Sequence, residues 1–195
     1  MSASRSRDET PGREQEILAA AAALFSQKGY SATTVRDIGQ RVGLLGGSLY
    51  HYIRSKEALF VKLHEMALQK AEDRIRADLD GVADPWARVA TACRTLLEIQ
   101  LDPHSLTMPL MNDFRAVPPD VREQLIVKRD GFEQLFKQLV ADLPLPEEVD
   151  RGVYRLLLLT ILNNSSLWFR PGKLSVEEVA AQIMTLFRLD GGARP

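Results

Sequence analysis

The segment from Ser31 to Lys56 carries side chains whose types and spacing suit binding to a nucleic-acid duplex. Its centre combines glycines, a hydroxyl and aromatic rings at the positions Gly46, Gly47, Ser48, Tyr50, His51 and Tyr52. Glycines let a backbone approach closely, hydroxyls bond phosphate oxygens, and an aromatic edge can contact a thymine methyl. The same pattern is also typical of two ordinary short helices in a helical core, so by itself it leaves both interpretations open.

Residues that would serve catalysis or metal binding do not fall into a working pattern. His64 and Glu65 begin like a zinc-protease helix, but Leu68 stands where the second histidine ligand is needed. The lone Cys93 has apolar neighbours and is interpreted as a buried small side chain. We find no phosphate-binding loop, dinucleotide fingerprint or nucleophile elbow. The sequence therefore predicts a protein that is not an enzyme and needs no metal or cofactor.

Charge is distributed unevenly along the 195 residues, although the net charge is only −1. Residues 1–60 carry eight Lys/Arg and six Asp/Glu, and residues 61–195 carry seventeen and twenty. The small basic excess at the front permits DNA binding, which depends on local cation placement. The most apolar run, Leu156–Leu162, is far shorter than the roughly 20 residues of a membrane span. With one cysteine and no signal-peptide pattern, we expect a cytoplasmic protein.

Helical spacing of apolar residues predicts an all-α fold, since no sustained two-residue alternation indicates a strand. Helix starts are indicated by Thr34, Ser55 and Ser175, which are capping residues, and by prolines. Glycines such as Gly29 and Gly43 indicate helix ends. Nine helices are predicted, over Thr10–Gly29, Thr34–Val42, Gly47–Ile53, Ser55–Leu79, Pro85–Leu101, an irregular Pro103–Phe114, Pro118–Leu143, Glu147–Phe169 and Ser175–Leu189.

The front helices resemble a known DNA-binding signature. The run ATTVRDIGQRVGLLGGSLYHYIRSKEAL, within residues 13–60, is similar to the helix-turn-helix of the TetR family of bacterial regulators. The resemblance implies a nine-helix TetR-like fold with a DNA-binding domain over 10–54 and a ligand-binding and dimerisation domain over 55–195. The residues before the first predicted helix are expected to form a disordered tail over 1–9. The resemblance also implies that DNA is contacted by Thr34, Arg36, Gly47, Ser48, Tyr50, His51 and Lys56. Gly46 and Tyr52, which the helical spacing points outward, complete the predicted DNA-binding set.

Two residues depart from the family signature. Leu45 replaces a small polar residue, and the missing cap should weaken the start of the recognition helix by roughly 1 kcal/mol. Gly46 stands where a cation is frequent, which should remove about one ion from the salt dependence of DNA binding. These departures leave a rival interpretation open, in which the protein is a ligand-binding or protein-interaction module whose N-terminal helix-turn-helix no longer binds DNA.

The resemblance implies that the last two helices pair with a second copy to form a homodimer. The predicted helix over 147–169 is apolar on more than one face and therefore must be buried on several sides, by a partner or by a monomer core. The last helix carries one matching apolar stripe. The predicted interface residues are Tyr154, Leu158, Ile161, Leu162, Trp168, Val179, Ile183, Leu186 and Phe187.

The middle helices are predicted to enclose a small apolar effector, although each residue concerned, taken singly, is more typical of plain core than of a ligand contact. The predicted lining residues are Trp86, Cys93, Leu97, Met108, Met111, Phe114, Phe132 and Asn163. The run LWFRPGKLS over 167–175 resembles a segment of regulators of fatty-acid, aromatic-acid and steroid breakdown. That resemblance implies a fatty-acid or acyl-CoA effector. The sequence thus predicts a repressor that an effector releases from operator DNA.

Overall fold

Every regular element in the described part of the chain is a helix, which confirms the all-α prediction. The computed structural model describes residues 10–44, 46–102 and 117–188. Its helices are α1 Thr10–Ala32, α2 Val35–Arg41, α3 Gly46–Leu49, α4 Lys56–Asp78, α5 Pro85–Leu101, α6 Pro119–Ala141, α7 Arg151–Asn163, α8 Ser165–Trp168 and α9 Val176–Phe187.

Side-chain caps fix the starts of the helices. The Thr34 hydroxyl accepts a hydrogen bond from the Asp37 amide at 3.1 Å, and the Asp37 carboxylate accepts one from the Thr34 amide at 3.0 Å. Ser175 and Glu178 form the same reciprocal capping box at α9. Ser55 caps α4 by accepting from the Ala58 amide at 3.1 Å. These caps satisfy amides that a helix leaves without a partner, so the predicted starts of α2, α4 and α9 are confirmed.

Gly29 interrupts α1, as its left-handed conformation requires. Its backbone has φ 78° and ψ 168°, which a residue with a Cβ rarely adopts. The completely buried Thr33 stabilises the break, since its hydroxyl donates to the carbonyl of Gly29 at 2.8 Å and lies 3.2 Å from that of Leu24. The chain therefore turns after the long first helix and leads directly into α2.

Two predicted helices are wrong in their extent. The single helix predicted over 147–169 is instead α7 followed by α8, with a break at Asn164 (φ −99°, ψ 14°). It also begins at Arg151, because the side chain of Asp150 caps the Val153 amide there. The helix predicted over 47–53 is regular only to Leu49, and the chain then continues as hydrogen-bonded turns. The irregular piece predicted over 103–114 and the tail over 1–9 lie outside the described residues.

The described residues form two hydrophobic cores. The head core combines α1, α2 and α3 with the first two turns of α4, with Val121 and Leu125 from the start of α6, and with Val117 just before it. The body core combines the rest of α4 and α6 with α5, α7 and α9. Thus α4 and α6 each contribute to both cores, and the head core extends beyond residue 54.

Candidate functional site

A tight turn between α2 and α3 sets the geometry of the front end. Gly43 has φ 68°, and the Leu44 amide donates to the Gly39 carbonyl at 2.8 Å. A Cβ at Gly39 would lie 2.9 Å from the Leu44 carbonyl oxygen, inside normal contact distance. Two glycines therefore allow α3 to fold back against α2, which is the arrangement of a helix-turn-helix.

Buried contacts hold α3 in one orientation. Ile38 of α2 and Leu49 of α3 are completely buried in the head core. From α1, the Arg13 guanidinium donates to the Val42 carbonyl at 2.6 Å, at the end of α2. The outer face of α3 and of the turn that follows is consequently presented by a rigid support.

The structure brings most of the predicted DNA-contacting residues to this outer surface. Thr34, Arg36, Gly47, His51 and Tyr52 are exposed, Ser48 is half-buried, and Tyr50 is 58 % exposed. Gly46 begins α3. Large exposed aromatic rings are unusual on a monomeric surface, and beside a recognition helix they are available to bases or phosphates.

Lys56 has two intramolecular partners in addition to its predicted role. Its ammonium donates to the Tyr30 carbonyl at 3.1 Å and lies 4.0 Å from the centre of the Tyr30 ring. The Tyr30 hydroxyl donates in turn to Glu57 at 2.8 Å. Burial and the neighbouring carboxylate raise the Tyr30 pKa above its ordinary value, so this ring remains neutral. Lys56 therefore ties α1 to the start of α4 and positions a positive charge at the rim of the head.

Three exposed cations were not among the predicted contacts. Lys28, Arg41 and Arg54 border the helix-turn-helix on the same part of the chain as Arg36. Residues 28–56 contain five Lys/Arg and a single acidic residue, Asp37. Averaging over residues 1–60 conceals this local excess, because six acidic residues are spread across that longer segment. A charge count restricted to the helix-turn-helix would have found this local excess.

The described ligand candidates come together in the body core. Trp86, Cys93 and Leu97 project from α5 and Phe132 from α6, and all four are buried. Burial raises the pKa of the Cys93 thiol to about 12, so it acts as an apolar side chain. Asn163, which is half-buried, accepts a hydrogen bond from Gln100 at 3.2 Å. The predicted lining residues Met108, Met111 and Phe114 lie outside the described part of the chain.

The predicted interface residues separate into two groups. Tyr154, Leu158, Leu162 and Ile183 belong to the core of the protomer itself and are not available to a second copy. Leu186 and Trp168 are 79 % and 43 % exposed, whereas Ile161, Val179 and Phe187 are half-buried. Exposed apolar residues that were not predicted complete an outer face, which is formed by Val153, Leu156, Leu157, Leu167, Trp168, Leu174 and Leu186.

This outer apolar face contains a groove of about 450 Å³ between the start of α7 and the end of α9. Val153, Leu157, Leu186 and Phe187 contribute its apolar walls. The groove is distinct from the interior where the ligand candidates lie. Among the described residues no group of three or more His, Cys, Asp or Glu is placed to hold a metal ion, and no helix has the length and apolar character to cross a membrane.

Comparisons with known proteins agree with this architecture. Residues 17–63 match the family described as "Bacterial regulatory proteins, tetR family", and residues 82–189 match "Tetracyclin repressor-like, C-terminal domain". The HTH-type transcriptional repressor KstR2 of Rhodococcus jostii is 28% identical over 190 residues, covering 94% of this chain and 93% of the relative.

Two solved structures share the fold. The ketosteroid transcriptional regulator KstR2 of Mycobacterium tuberculosis has a TM-score of 0.70 at 24% identity, covering 95% of each chain. AibR in complex with isovaleryl coenzyme A and operator DNA has a TM-score of 0.76 at 20% identity, covering 89% of this chain and 97% of AibR. The C-terminal match alone spans more than half of the sequence. The chain therefore belongs to the TetR family of bacterial regulatory proteins and is a DNA-binding transcriptional repressor rather than an enzyme.

Proposed function

We propose that this protein acts as a homodimer on a palindromic operator in the bacterial cytoplasm and is released by an acyl-CoA thioester. The observation that carries the proposal is the pair of shared helices, because α4 and α6 connect the DNA-binding head to the apolar body. A change of packing in the body can therefore alter the orientation of the head. Such coupling requires no contact between effector and DNA.

The proposed DNA interface combines base-reading and phosphate-binding residues. Gly47, Ser48, Tyr50 and His51 would enter the major groove, with Gly46 and Tyr52 at its edges. The cations Arg36, Arg41, Arg54 and Lys56, together with the Thr34 hydroxyl, would bind the flanking phosphates. This division predicts that the groove residues determine the operator sequence and that the cations determine the salt dependence.

Two heads are needed because one short recognition helix reads few base pairs. A two-fold dimer would place the two α3 helices about 34–36 Å apart, the spacing of successive major grooves. The outer apolar face supports this assembly, since six large apolar side chains of α7, α8 and α9, together with Leu174 just before α9, are exposed there in one protomer. Burying that face against its symmetry mate would remove them from water.

The proposed effector is an acyl-CoA or a related fatty-acid-like molecule. The apolar side chains of Trp86, Cys93, Leu97 and Phe132 offer an environment for an acyl chain. AibR, which shares the fold, was solved with isovaleryl coenzyme A. Binding would favour a dimer conformation whose recognition helices no longer match the groove spacing. The loss of operator affinity is limited by the ratio of the effector's affinities for the two dimer conformations.

The test is a footprint of the purified protein on the DNA flanking its own gene, at two salt concentrations. We expect a protected, roughly palindromic site whose protection weakens at the higher salt and disappears with the effector. If no site is protected there, selection from random DNA follows. Failure of that selection would favour a ligand-binding or protein-interaction module with a disabled head.

A further inference from the structure

Within the part of the chain that the structure describes, Ser165 is a buried hydroxyl without a partner. Its side chain is completely inaccessible, and its Oγ makes no hydrogen bond to a described residue. Buried hydroxyls nearly always have a partner, because losing water without a replacement is unfavourable. An exception inside a ligand-binding body is therefore informative about what binds there.

The break between α7 and α8 explains why Ser165 has no local partner. A helical serine commonly bonds the carbonyl four residues earlier, which here belongs to Ile161. That carbonyl instead accepts the Trp168 indole N–H at 3.1 Å. Asn164 bonds the Thr160 carbonyl at 2.8 Å, so the other polar side chain at the break is also satisfied locally. Of the described polar side chains at the break, the Ser165 hydroxyl is the one left for another group.

Two uncharged amides lie on the elements next to Ser165. Gln100, in the last turn of α5, is 5 % exposed and donates to Asn163 at the end of α7. The four-residue helix α8, which begins at Ser165, packs against α5. Three neutral polar side chains therefore lie at one end of an otherwise apolar core.

The charge state of this cluster limits what it can bind. Among the described residues, the buried polar side chains are Thr33, His64, Thr95, Gln100 and Ser165. Of these only His64 can carry a positive charge, and it packs against Phe60 of the head core, so the cluster of Ser165, Gln100 and Asn163 contains no cation of its own. An ionised carboxylate buried without a cation is strongly disfavoured, whereas a carbonyl or hydroxyl oxygen needs only a hydrogen bond. The cluster suits a neutral oxygen.

We propose that Ser165, supported by Gln100 and Asn163, is the hydrogen-bonding anchor for an uncharged oxygen of the effector, such as a thioester or ketone carbonyl, and discriminates against a free carboxylate. The proposal rests on the proposed function, since it assigns a polar subsite within the effector-binding body. It excludes free fatty acids as the preferred effectors.

The test measures the binding of two probes that share one acyl chain, octanoyl-N-acetylcysteamine and octanoate, to the full-length protein by calorimetry. The wild type should bind the neutral thioester at least tenfold more tightly than the acid. Ser165→Ala should weaken thioester binding by about 3- to 10-fold, the usual contribution of one hydrogen bond. The unfolding temperature should not fall, because the hydroxyl has no partner among the described residues of the free protein. Ser166→Ala, an exposed neighbouring hydroxyl, is the matched control and should change neither quantity.

Equal or tighter binding of octanoate, no detectable binding of the thioester, or an unchanged thioester affinity in Ser165→Ala would each overturn the anchor. A lower unfolding temperature in that variant with unchanged affinity would assign the hydroxyl a structural role. Operator binding measured on the same preparations separates the two proposals. If the wild type binds operator DNA and acyl-CoA releases it while Ser165→Ala behaves identically, the regulator stands and the anchor fails.

Discussion

At the scale of single residues, Gly39 is a position with no room for a side chain. A Cβ there would lie 2.9 Å from the Leu44 carbonyl oxygen. We expect Gly39→Val to destabilise the protein by about 2 kcal/mol, because a branched side chain must displace the α2–α3 turn. Urea unfolding followed by circular dichroism measures the loss.

Gly47→Ala is the control for that substitution, since no atom lies within 4 Å of a Cβ built there. It should not lower stability, because alanine has a higher helix propensity than glycine, and it should weaken operator binding, because Gly47 is a proposed base contact. Equal stability of the Gly39 and Gly47 variants would contradict the close approach that defines the turn.

The capping boxes make the stability of the folded protein depend on pH in the acidic range. Hydrogen bonds from Thr34 and Ser175 lower the pKa of Asp37 and Glu178 below their ordinary values. Because the pKa is lowered in the folded state, each carboxylate stabilises the fold at a pH above its ordinary pKa of about 4. That contribution is lost as the pH falls through the lower pKa of the folded state. At pH values below about 4, we expect the urea midpoint to decrease with pH less steeply in Asp37→Asn/Glu178→Gln than in the wild type.

Both amides in that double variant can still accept the backbone hydrogen bond, so the helices should remain capped at neutral pH. Glu123→Gln, an exposed substitution on α6, serves as the control and should follow the wild-type acid profile. Parallel acid profiles for the wild type and the double variant would exclude the capping carboxylates as the cause.

The exposed cations of the head have a measurable electrostatic role. Each phosphate contact contributes about one ion to the slope of log affinity against log salt concentration. We therefore expect Arg41→Ala and Arg54→Ala each to reduce that slope by about one and to weaken binding to all operator sequences similarly. Lys137→Ala, an exposed cation on α6 in the body, should leave the slope unchanged. Unchanged slopes in both head variants would place the DNA elsewhere.

At the scale of helices, the sequence predicts where several helices start, but it does not predict which face of α7 is buried or where some helices end. Thr34, Ser55 and Ser175 cap helices as their residue types predict, because capping depends on a few adjacent residues. In contrast, α7 has apolar residues on two faces. Its spacing could not show that Tyr154, Leu158 and Leu162 enter the protomer core while Leu156 and Leu157 remain exposed.

The helix break and the packing of α6 that the sequence did not predict both depend on contacts that local periodicity does not reveal. The break at Asn164 depends on hydrogen bonds from Asn164 and from Trp168, and the latter is seven residues from its acceptor at Ile161. The entry of α6 into the head core joins Val121 and Leu125 to residues about a hundred positions earlier. Neither contact follows from local periodicity, and both depend on tertiary packing.

The two shared helices should transmit the effector signal. Leu125 of α6 is completely buried in the head core and belongs to neither the proposed DNA interface nor the proposed ligand cluster. We expect Leu125→Ala to lower stability by about 2–5 kcal/mol and to reduce the factor by which effector weakens operator binding. Anisotropy titrations with labelled operator, with and without effector, measure that factor.

Val127→Ala, two residues along the same helix at a 68 % exposed position, controls for changes in α6 itself. It should retain the wild-type factor. A Leu125 variant that is less stable but keeps the full factor would show that α6 does not carry the signal.

At the scale of the whole molecule, the outer apolar face predicts the assembly. Leu156 and Leu186 are 59 % and 79 % exposed in one protomer. The double variant Leu156→Glu/Leu186→Glu would bury four unpaired carboxylates in a two-fold interface, and we expect it to be monomeric by light scattering. Val127→Glu, an equally apolar exposed position outside this face, should leave the dimer intact. A double variant that remains dimeric would exclude this face as the interface.

The central claim is that occupancy of the body controls the affinity of the head for DNA. The most direct measurement is a titration of the selected operator with the purified protein by fluorescence anisotropy, repeated with a series of acyl-CoA thioesters shown by calorimetry to bind. The account predicts one dimer per palindrome, affinity that falls with salt, and a loss of affinity of about 5- to 150-fold with a bound thioester. Operator affinity that stays unchanged with every thioester that binds would contradict it.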